Sequence, residues 1–365
     1  MNNIAIVIDA LTGGGAEKVM LSLSTALIKK GHRVSFLSLS GKRDYPIPDG
    51  LQLDVLFSGK ISKVDQFWRK KTSVNKLENW FFIQQQSFGV FDLVLSNLDK
   101  SNNLLSFSKI KNVFYIIHNS VEQELQRQKK LGPFAYWYLK KSKQNLSGKH
   151  LICVSEGLKT EIEQGSIIKP TSIRSIYNPL DLEAITAQSL IGDKNIPQTP
   201  YLIHVGRFAR QKRHDVLFEA FCRIDNGYKL VLLCNKPDKA RKLAEQYGIG
   251  DRLITPGFQA NPYNWIKNAK ALVLSSDYEG LSMVLLEALA LGTKVVSTRC
   301  PHGPGEILTG EMSKFLVPMQ NPKALASAIN EVLQVDIACE NTEILEKVES
   351  KMVARQYLKL IDTMQ

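Results

Sequence analysis

Two α/β domains, each built on a parallel sheet, are predicted for this chain by three observations. The length of 365 residues exceeds the roughly 250–300 at which a single core stops growing. A strand, glycine turn, helix and second strand open the chain at residue 4, and the same order recurs at residue 201. Strands and helices then keep alternating, the pattern of parallel strands joined by right-handed crossovers.

Ile4 to Asp9 reads as a buried strand and Leu11 to Gly15 as a glycine turn. Glu17 to Lys30 reads as an amphipathic helix with Val19, Leu23 and Leu27 inward and Gly31 after its end. Arg33 to Leu39 is the next strand. In the second half, Tyr201 to Val205 is a strand, Gly206 starts a loop, His214 to Ile224 is helical and Lys229 to Leu233 is a strand. Helix 238–247, strand 252–255, helix 262–269, strand 271–275, helix 282–291 and strand 294–298 follow. The segment from Asp181 to Pro200 is polar and carries Pro197 and Pro200, which suits a linker plus a short helix. The expected domains are therefore 1–180 and 200–349, joined by a linker at 181–199. Open parallel sheets bind ligands beyond the carboxyl ends of their strands, so the two domains are expected to face a cleft into which both first loops point.

No apolar run approaches the roughly 20 residues that span a bilayer. The chain enters its first strand with no basic n-region or cleavage pattern, and a cytoplasmic location is expected. Five cysteines, at 153, 222, 234, 300 and 339, include no Cys-x-x-Cys pair. They read as free thiols rather than a disulfide framework or structural zinc site.

The net charge of +12 is uneven: residues 1–170 hold 24 Lys or Arg against 14 Asp or Glu, leaving 23 against 21 for the rest. The first half is thus expected to meet an anionic partner. Lys60 to Lys76 includes Phe67 and Trp68. In Arg127 to Lys149, Phe134, Tyr136, Trp137 and Tyr138 interleave with Lys129, Lys130, Lys140, Lys141 and Lys143. Basic and aromatic residues together suggest a membrane surface. A nucleic-acid patch, or a solvated lysine-rich face beside core aromatics, would read the same way.

Glu279 to Glu287 reads Glu-Gly-Leu-Ser-Met-Val-Leu-Leu-Glu, a carboxylate in a polar turn followed by one in an otherwise apolar helix. Ser282 can cap that helix through its hydroxyl, and Gly292 can end it in a left-handed conformation. A carboxylate held among Leu285, Leu286, Ala288 and Leu289 is costly unless it meets strong donors, and a ribose cis-diol supplies two. A solvated helix face is the alternative for Glu287.

Gly13-Gly14-Gly15 would let backbone N–H groups and the following helix N-terminus approach a diphosphate, although it is not the dinucleotide fingerprint. Arg207 and Lys212, in Gly206-Arg207-Phe208-Ala209-Arg210-Gln211-Lys212, could clamp the same group. His118 ends the apolar run Val113 to Ile117. There is no Asp-x-Asp and no His or carboxylate cluster with metal-ligand spacing. No metal or other cofactor is expected.

Gly14-Gly15-Ala16-Glu17, Gly206-Arg207 with Lys212, and Glu279 to Glu287 together resemble family 4 of the retaining GT-B glycosyltransferases (glycosyl transferases group 1), and the likeness spans nearly the whole chain. It implies a GT-B fold of two Rossmann-like domains and transfer of a sugar from a nucleotide-diphosphate donor, with UDP-sugar favoured. Glu287 would hold the ribose hydroxyls, Arg207 and Lys212 the diphosphate, and Gly14 and Gly15 would approach the phosphates from the first domain. Glu279 would face the donor sugar. The backbone at Ser282 and Met283 would add N–H donors. His118, where the family often places a histidine beside the transferred sugar, would contact a sugar hydroxyl, and His302, in the loop Cys300 to Glu306, is a secondary candidate. Catalysis would thus rest on His118, Glu279, Arg207 and Lys212, by same-face attack through an oxocarbenium-like ion pair and with no covalent nucleophile.

Two departures stand out. Cys234-Asn235-Lys236-Pro237 replaces a common Gly-x-Gly turn near the base, and Lys314-Phe315 precedes Leu316-Val317-Pro318 where a glycine is usual. The implied acceptor is a membrane-bound anionic glycan or glycolipid of lipopolysaccharide core or other surface-polysaccharide synthesis. The enzyme would work peripherally on the inner face of the cytoplasmic membrane, with no nucleic-acid partner. Residues 350–365 would pack back on the first domain, as in similar enzymes. A nucleotide-sugar epimerase of the same fold and a nucleic-acid-binding protein are the competing readings.

Overall fold

The computed structural model describes residues 1–59, 61–335 and 343–363. Lys60, Cys339, Met364 and Gln365 lie outside the described residues. The chain divides into two compact units, Met1–Pro179 with Ser350–Gln365, and Leu180–Glu349.

The first unit carries seven parallel strands: β1 (Asn3–Ile8), β2 (Arg33–Ser40), β3 (Gln52–Phe57), β4 (Leu93–Asn97), β5 (Val113–Ile117), β6 (His150–Cys153) and β7 (Ser172–Ser175). Their spatial order is β3-β2-β1-β4-β5-β6-β7. β1 is buried along its whole length, with Ile6 opposite Phe36 on one side and Leu95 on the other. The chain leaves β1 toward β2 and later returns to β4 on the opposite side. The order therefore reverses between β1 and β4, where an open sheet forms its ligand crevice beyond the carboxyl ends. Helix Gly15–Lys29 follows β1 and buries Val19, Leu23 and Leu27, the inward positions its period predicts. Gly31, at φ 81°, takes the left-handed turn that ends it. Helix Ser350–Leu358 packs against this helix and buries Val353, Ala354 and Tyr357.

The second unit carries six parallel strands, β8 (Tyr201–Val205), β9 (Lys229–Leu233), β10 (Leu253–Ile254), β11 (Ala271–Leu274), β12 (Val295–Thr298) and β13 (Leu316–Val317). They are ordered β10-β9-β8-β11-β12-β13, so the reversal falls between β8 and β11. Helices His214–Phe221 and Pro322–Gln334 cover one face, closing a core that includes Leu217, Phe221, Leu230, Val273 and Ile329.

The segment expected to be a linker, 181–199, belongs to the second unit. Asp181 caps helix Leu182–Ser189 by accepting from the Ala184 amide at 3.0 Å, and this helix packs on helices Tyr263–Lys267 and Met283–Ala290. Asn261 and Asn264 donate to the carbonyls of Gln188 and Ile191, and the Trp265 indole donates to Asp193 at 3.1 Å. Its polar composition resembles a linker, but its polar atoms are the partners of a neighbouring helix.

Candidate active site

At the second sheet's reversal, the loop after β8 holds Arg207 and Lys212, and the loop after β11 holds Glu279 and leads into helix Met283–Ala290 with Glu287. The two loops are sewn together: Ser275 Oγ donates to the Lys212 carbonyl at 2.7 Å, the Asp277 amide to the Gln211 carbonyl at 2.8 Å, and Gln211 Nε2 to the Tyr278 carbonyl at 2.6 Å. Arg213, in the left-handed region at φ 46°, bridges Asp215 and Asp277 and braces the same junction.

Lys212 Nζ lies 2.7 Å from Glu279 Oε1, and Ser276 Oγ donates to that oxygen at 2.5 Å. Glu279 is buried. Gly206 makes room for this pair, since a Cβ there would come within 3.2 Å of Lys212 Cε and 3.3 Å of His204 Nε2. Arg207, by contrast, is exposed, and no hydrogen bond or ion pair among the described residues engages its side chain.

Glu287 is buried, only 3% exposed, so the solvated-face alternative fails. Tyr263 Oη donates to Glu287 Oε1 at 3.5 Å, and burial with the nearby Glu287 charge holds the Tyr263 phenol well above its ordinary range. Gly292 takes φ 71° and ends the helix as expected.

The expected Ser282 side-chain cap does not form. Ser282 is the N-cap residue in extended conformation, yet its hydroxyl is buried without a hydrogen-bond partner. The first amides of a helix likewise have no intrahelical acceptor. An orphan hydroxyl and the amides of Ser282 and Met283 thus occupy one turn. Gly303, at φ 43°, packs against this turn: a Cβ there would meet the Ser282 amide nitrogen at 3.1 Å. His302 precedes it at φ 66°.

In the first unit, Gly14 is the N-cap of helix Gly15–Lys29, and its carbonyl accepts from Tyr45 Oη at 3.2 Å. A Cβ on Gly14 would strike the Glu17 carboxylate, whereas one on Gly15 would meet nothing within 4 Å. No steric contact among the described residues therefore requires glycine at position 15.

His118 stands just beyond β5. The Asn97 amide nitrogen donates to the carbonyls of Val7 and Leu95, which turns its oxygen toward His118 Nε2 at 3.0 Å. Nε2 then carries the ring proton and Nδ1 keeps the lone pair. Burial, with Lys143 nearby, pushes His118 down to about 4, so the ring is neutral at neutral pH. Lys143, expected in a basic surface stretch, is instead buried and bonds to Asp99 at 2.7 Å and Glu124 at 2.8 Å. At the end of β1, Asp9 accepts from the Ser101 amide and hydroxyl and the Lys100 amide, and burial raises it to about 6.

The family model described as Glycosyltransferase Family 4 matches residues 13–184, and that of Glycosyl transferases group 1 matches 188–345. The chain belongs to the family 4 glycosyltransferases. This glycosyltransferase is 24% identical over 352 residues, 92% of this chain and 91% of the other, to the N-acetylgalactosamine-N,N'-diacetylbacillosaminyl-diphospho-undecaprenol 4-alpha-N-acetylgalactosaminyltransferase of Campylobacter jejuni. It is 27% identical over 217 residues to the lipopolysaccharide 1,6-galactosyltransferase of Escherichia coli, covering 57% of this chain and 59% of that one. Its fold is similar to Anabaena HepE in complex with UDP and glucose, with a TM-score of 0.70 over 100% of this chain and 98% of that one at 15% identity.

Among the described residues of the glycosyltransferase, no group of three or more His, Cys, Asp or Glu could hold a metal ion. Sequence reasoning missed Ser276, Asn97, Tyr263 and Asp9. Asp9 and Asn97 left a signal, as polar residues closing the apolar runs Ile4 to Ile8 and Leu93 to Leu95, and Ser276 stands three residues before Glu279.

A buried histidine pair beneath the Lys212 loop was also missed. His204 donates through Nδ1 to the Val273 carbonyl at 2.8 Å, and its ring centroid lies 5.0 Å from that of His214. Burial lowers both, His214 to about 3 and His204 well below its ordinary value, with Lys212 adding to each. A lowered folded-state pKa means that the unfolded chain takes up protons first. The stability these neutral rings contribute is therefore complete above 6.5 and is lost as pH falls toward 3. For His214 alone the loss by pH 4.5 is about 2–3 kcal/mol. His214→Phe should flatten the fall of second-unit urea stability between pH 6.5 and 4.5; an unchanged slope would show that His214 does not carry it.

Proposed function

We propose that this enzyme is a retaining glycosyltransferase that moves a sugar from a UDP-sugar to an anionic glycan or glycolipid at the inner face of the cytoplasmic membrane, in lipopolysaccharide core or related surface-polysaccharide synthesis. The observation that carries the proposal is the buried Glu287, in the helix whose start holds the partnerless Ser282 hydroxyl and the amides of Ser282 and Met283. A carboxylate matched to a diol, beside donors matched to phosphate oxygens, is what a nucleoside diphosphate requires.

Lys212 and Arg207 supply positive charge as the bond between the anomeric carbon and the diphosphate breaks. The acceptor hydroxyl attacks the face that the diphosphate leaves, and its proton passes to the departing diphosphate oxygen. Glu279, fixed by Lys212 and Ser276, faces the donor sugar. His118 accepts a sugar hydroxyl at Nδ1, an orientation held by Asn97. No divalent metal enters this scheme. The acceptor class is supported by the diphospho-undecaprenol-linked substrate in the Campylobacter relative's name and by the basic first half of the chain. UDP is supported by the complex of Anabaena HepE.

Thermal unfolding with UDP, GDP, ADP and NAD in parallel tests the proposal. A ligand at 100 times its Kd stabilises by ~2.7 kcal/mol, and UDP alone should give the large shift. A shift with NAD, or with none of the four, would contradict the assigned donor.

A further inference from the structure

We propose that Phe67, Trp68, Phe134 and Trp137 form a docking surface that seats the first unit in the headgroup layer of an anionic bilayer. The acceptor it would serve rests on the function proposed above; the surface itself rests on four aromatic side chains left in water, Phe67 at 93% and Phe134 at 90% exposure, Trp68 at 71% and Trp137 at 67%.

These side chains are not misplaced core. Helix Phe67–Phe88 buries Val74, Leu77 and Phe81, and Phe67 and Trp68 precede that stripe in its first turn. Helix Pro133–Gln144 buries Leu139 and Lys143 and leaves Phe134 and Trp137 outside. One buried carboxylate ties the two helix starts together. Asp65 accepts from the Tyr138 hydroxyl, from Lys100 Nζ at 3.1 Å and from Asn103 Nδ2 at 3.2 Å. Lys70, next along the first helix, sits 4.0 Å from the Phe107 ring centroid. The aromatics therefore form one preorganised patch, and inserting them costs little ordering entropy.

The charge around the patch selects the partner. Arg69, Lys71, Lys129, Lys130 and Lys141 are all exposed, and Lys70 lies close enough to Lys141 for the two to repel. Aromatic tips ringed by cations match the boundary between acyl chains and anionic headgroups. Along helix Pro133–Gln144, Trp137 is six residues from Lys143, whose charge reaches His118. At 1.5 Å per residue that is about 9 Å, so a lipid-borne acceptor would be held within reach of His118.

Co-sedimentation of the full chain with phosphatidylcholine vesicles, with and without phosphatidylglycerol, tests this. The chain should bind only the anionic vesicles. Phe67→Ser/Trp68→Ser/Phe134→Ser/Trp137→Ser should lose at least about ten-fold in affinity with an unchanged unfolding midpoint. Charge removal by Lys129→Gln, Lys130→Gln or Lys141→Gln should cost about five-fold each. Brominated acyl chains should quench tryptophan fluorescence in the wild type but not in Trp68→Phe/Trp137→Phe. Equal binding to neutral vesicles, undiminished binding by the serine variant, or binding to RNA but not to vesicles would overturn the proposal. A concentration-dependent dimer that the serine variant abolishes, without vesicle binding, would do the same. The nucleotide shift is read separately: vesicle binding without a UDP response would remove the donor assignment and leave the surface standing.

Discussion

Glu287→Ala should abolish the stabilisation gained from UDP and lower kcat/KM by roughly a thousand-fold, about 4 kcal/mol for two lost charge-assisted hydrogen bonds in a dry site. The size follows from burial. At 3% exposure the carboxylate has little water to fall back on, and a ribose diol would take the place of solvent. The unliganded protein should lose far less, about 1–3 kcal/mol, because the Tyr263 hydroxyl loses an acceptor while a carboxylate leaves an apolar helix face. Glu287→Gln keeps one acceptor oxygen and should fall between the two. Thermal unfolding with and without UDP, beside initial rates, separates these effects; a UDP shift that survives in Glu287→Ala would remove the anchor of the proposed donor site.

Lys212→Ala should reduce kcat about a hundred-fold, the ~3 kcal/mol expected when a charge partner of a departing diphosphate is removed from a preorganised site. It should also destabilise the second unit by about 3–5 kcal/mol, since Glu279 would remain buried with its ion-pair partner gone. The two losses can be parted. Lys212→Ala/Glu279→Gln removes the unpaired charge, so its stability should recover toward wild type while kcat stays low. If the double variant regained activity along with stability, Lys212 would be a structural partner of Glu279 and would have no part in the chemistry.

Much of the fold was legible because its strands are apolar runs closed by glycine or polar residues. β8 and β9 fall on the predicted Tyr201–Val205 and Lys229–Leu233. The helix after β1 keeps its predicted inward residues. Legibility failed where a partner is remote in sequence. Nothing local to 181–199 announces that Asn261, Asn264 and Trp265 will bind it. Lys143 looks like one more lysine in a basic run, but helical phase turns it inward beside Leu139, where Asp99 and Glu124 receive it. The candidate site divides the same way. Glu279, Glu287, Arg207 and Lys212 stood out in the sequence because each belongs to a short local motif, and the structure puts all four on loops or a helix at the reversal of the sheet. Tyr263, which holds Glu287, and Asn97, which orients His118, act across gaps of 24 and 21 residues that no spacing rule spans, whereas Ser276 holds Glu279 from only three residues away. Ser282 illustrates a different limit, since serine before a helix predicts a cap and the hydroxyl is left without a partner.

The return of helix Ser350–Leu358 to the first unit sets an order on synthesis. Residues 180–349 have all left the ribosome before Ser350 does, so the second unit can close while the first still waits for its last helix. Until that helix arrives, the surface of Gly15–Lys29 that receives Val353, Ala354 and Tyr357 stays open to solvent and to other chains. A message cut short near its end would therefore yield a protein with an intact second unit and an adhesive first one.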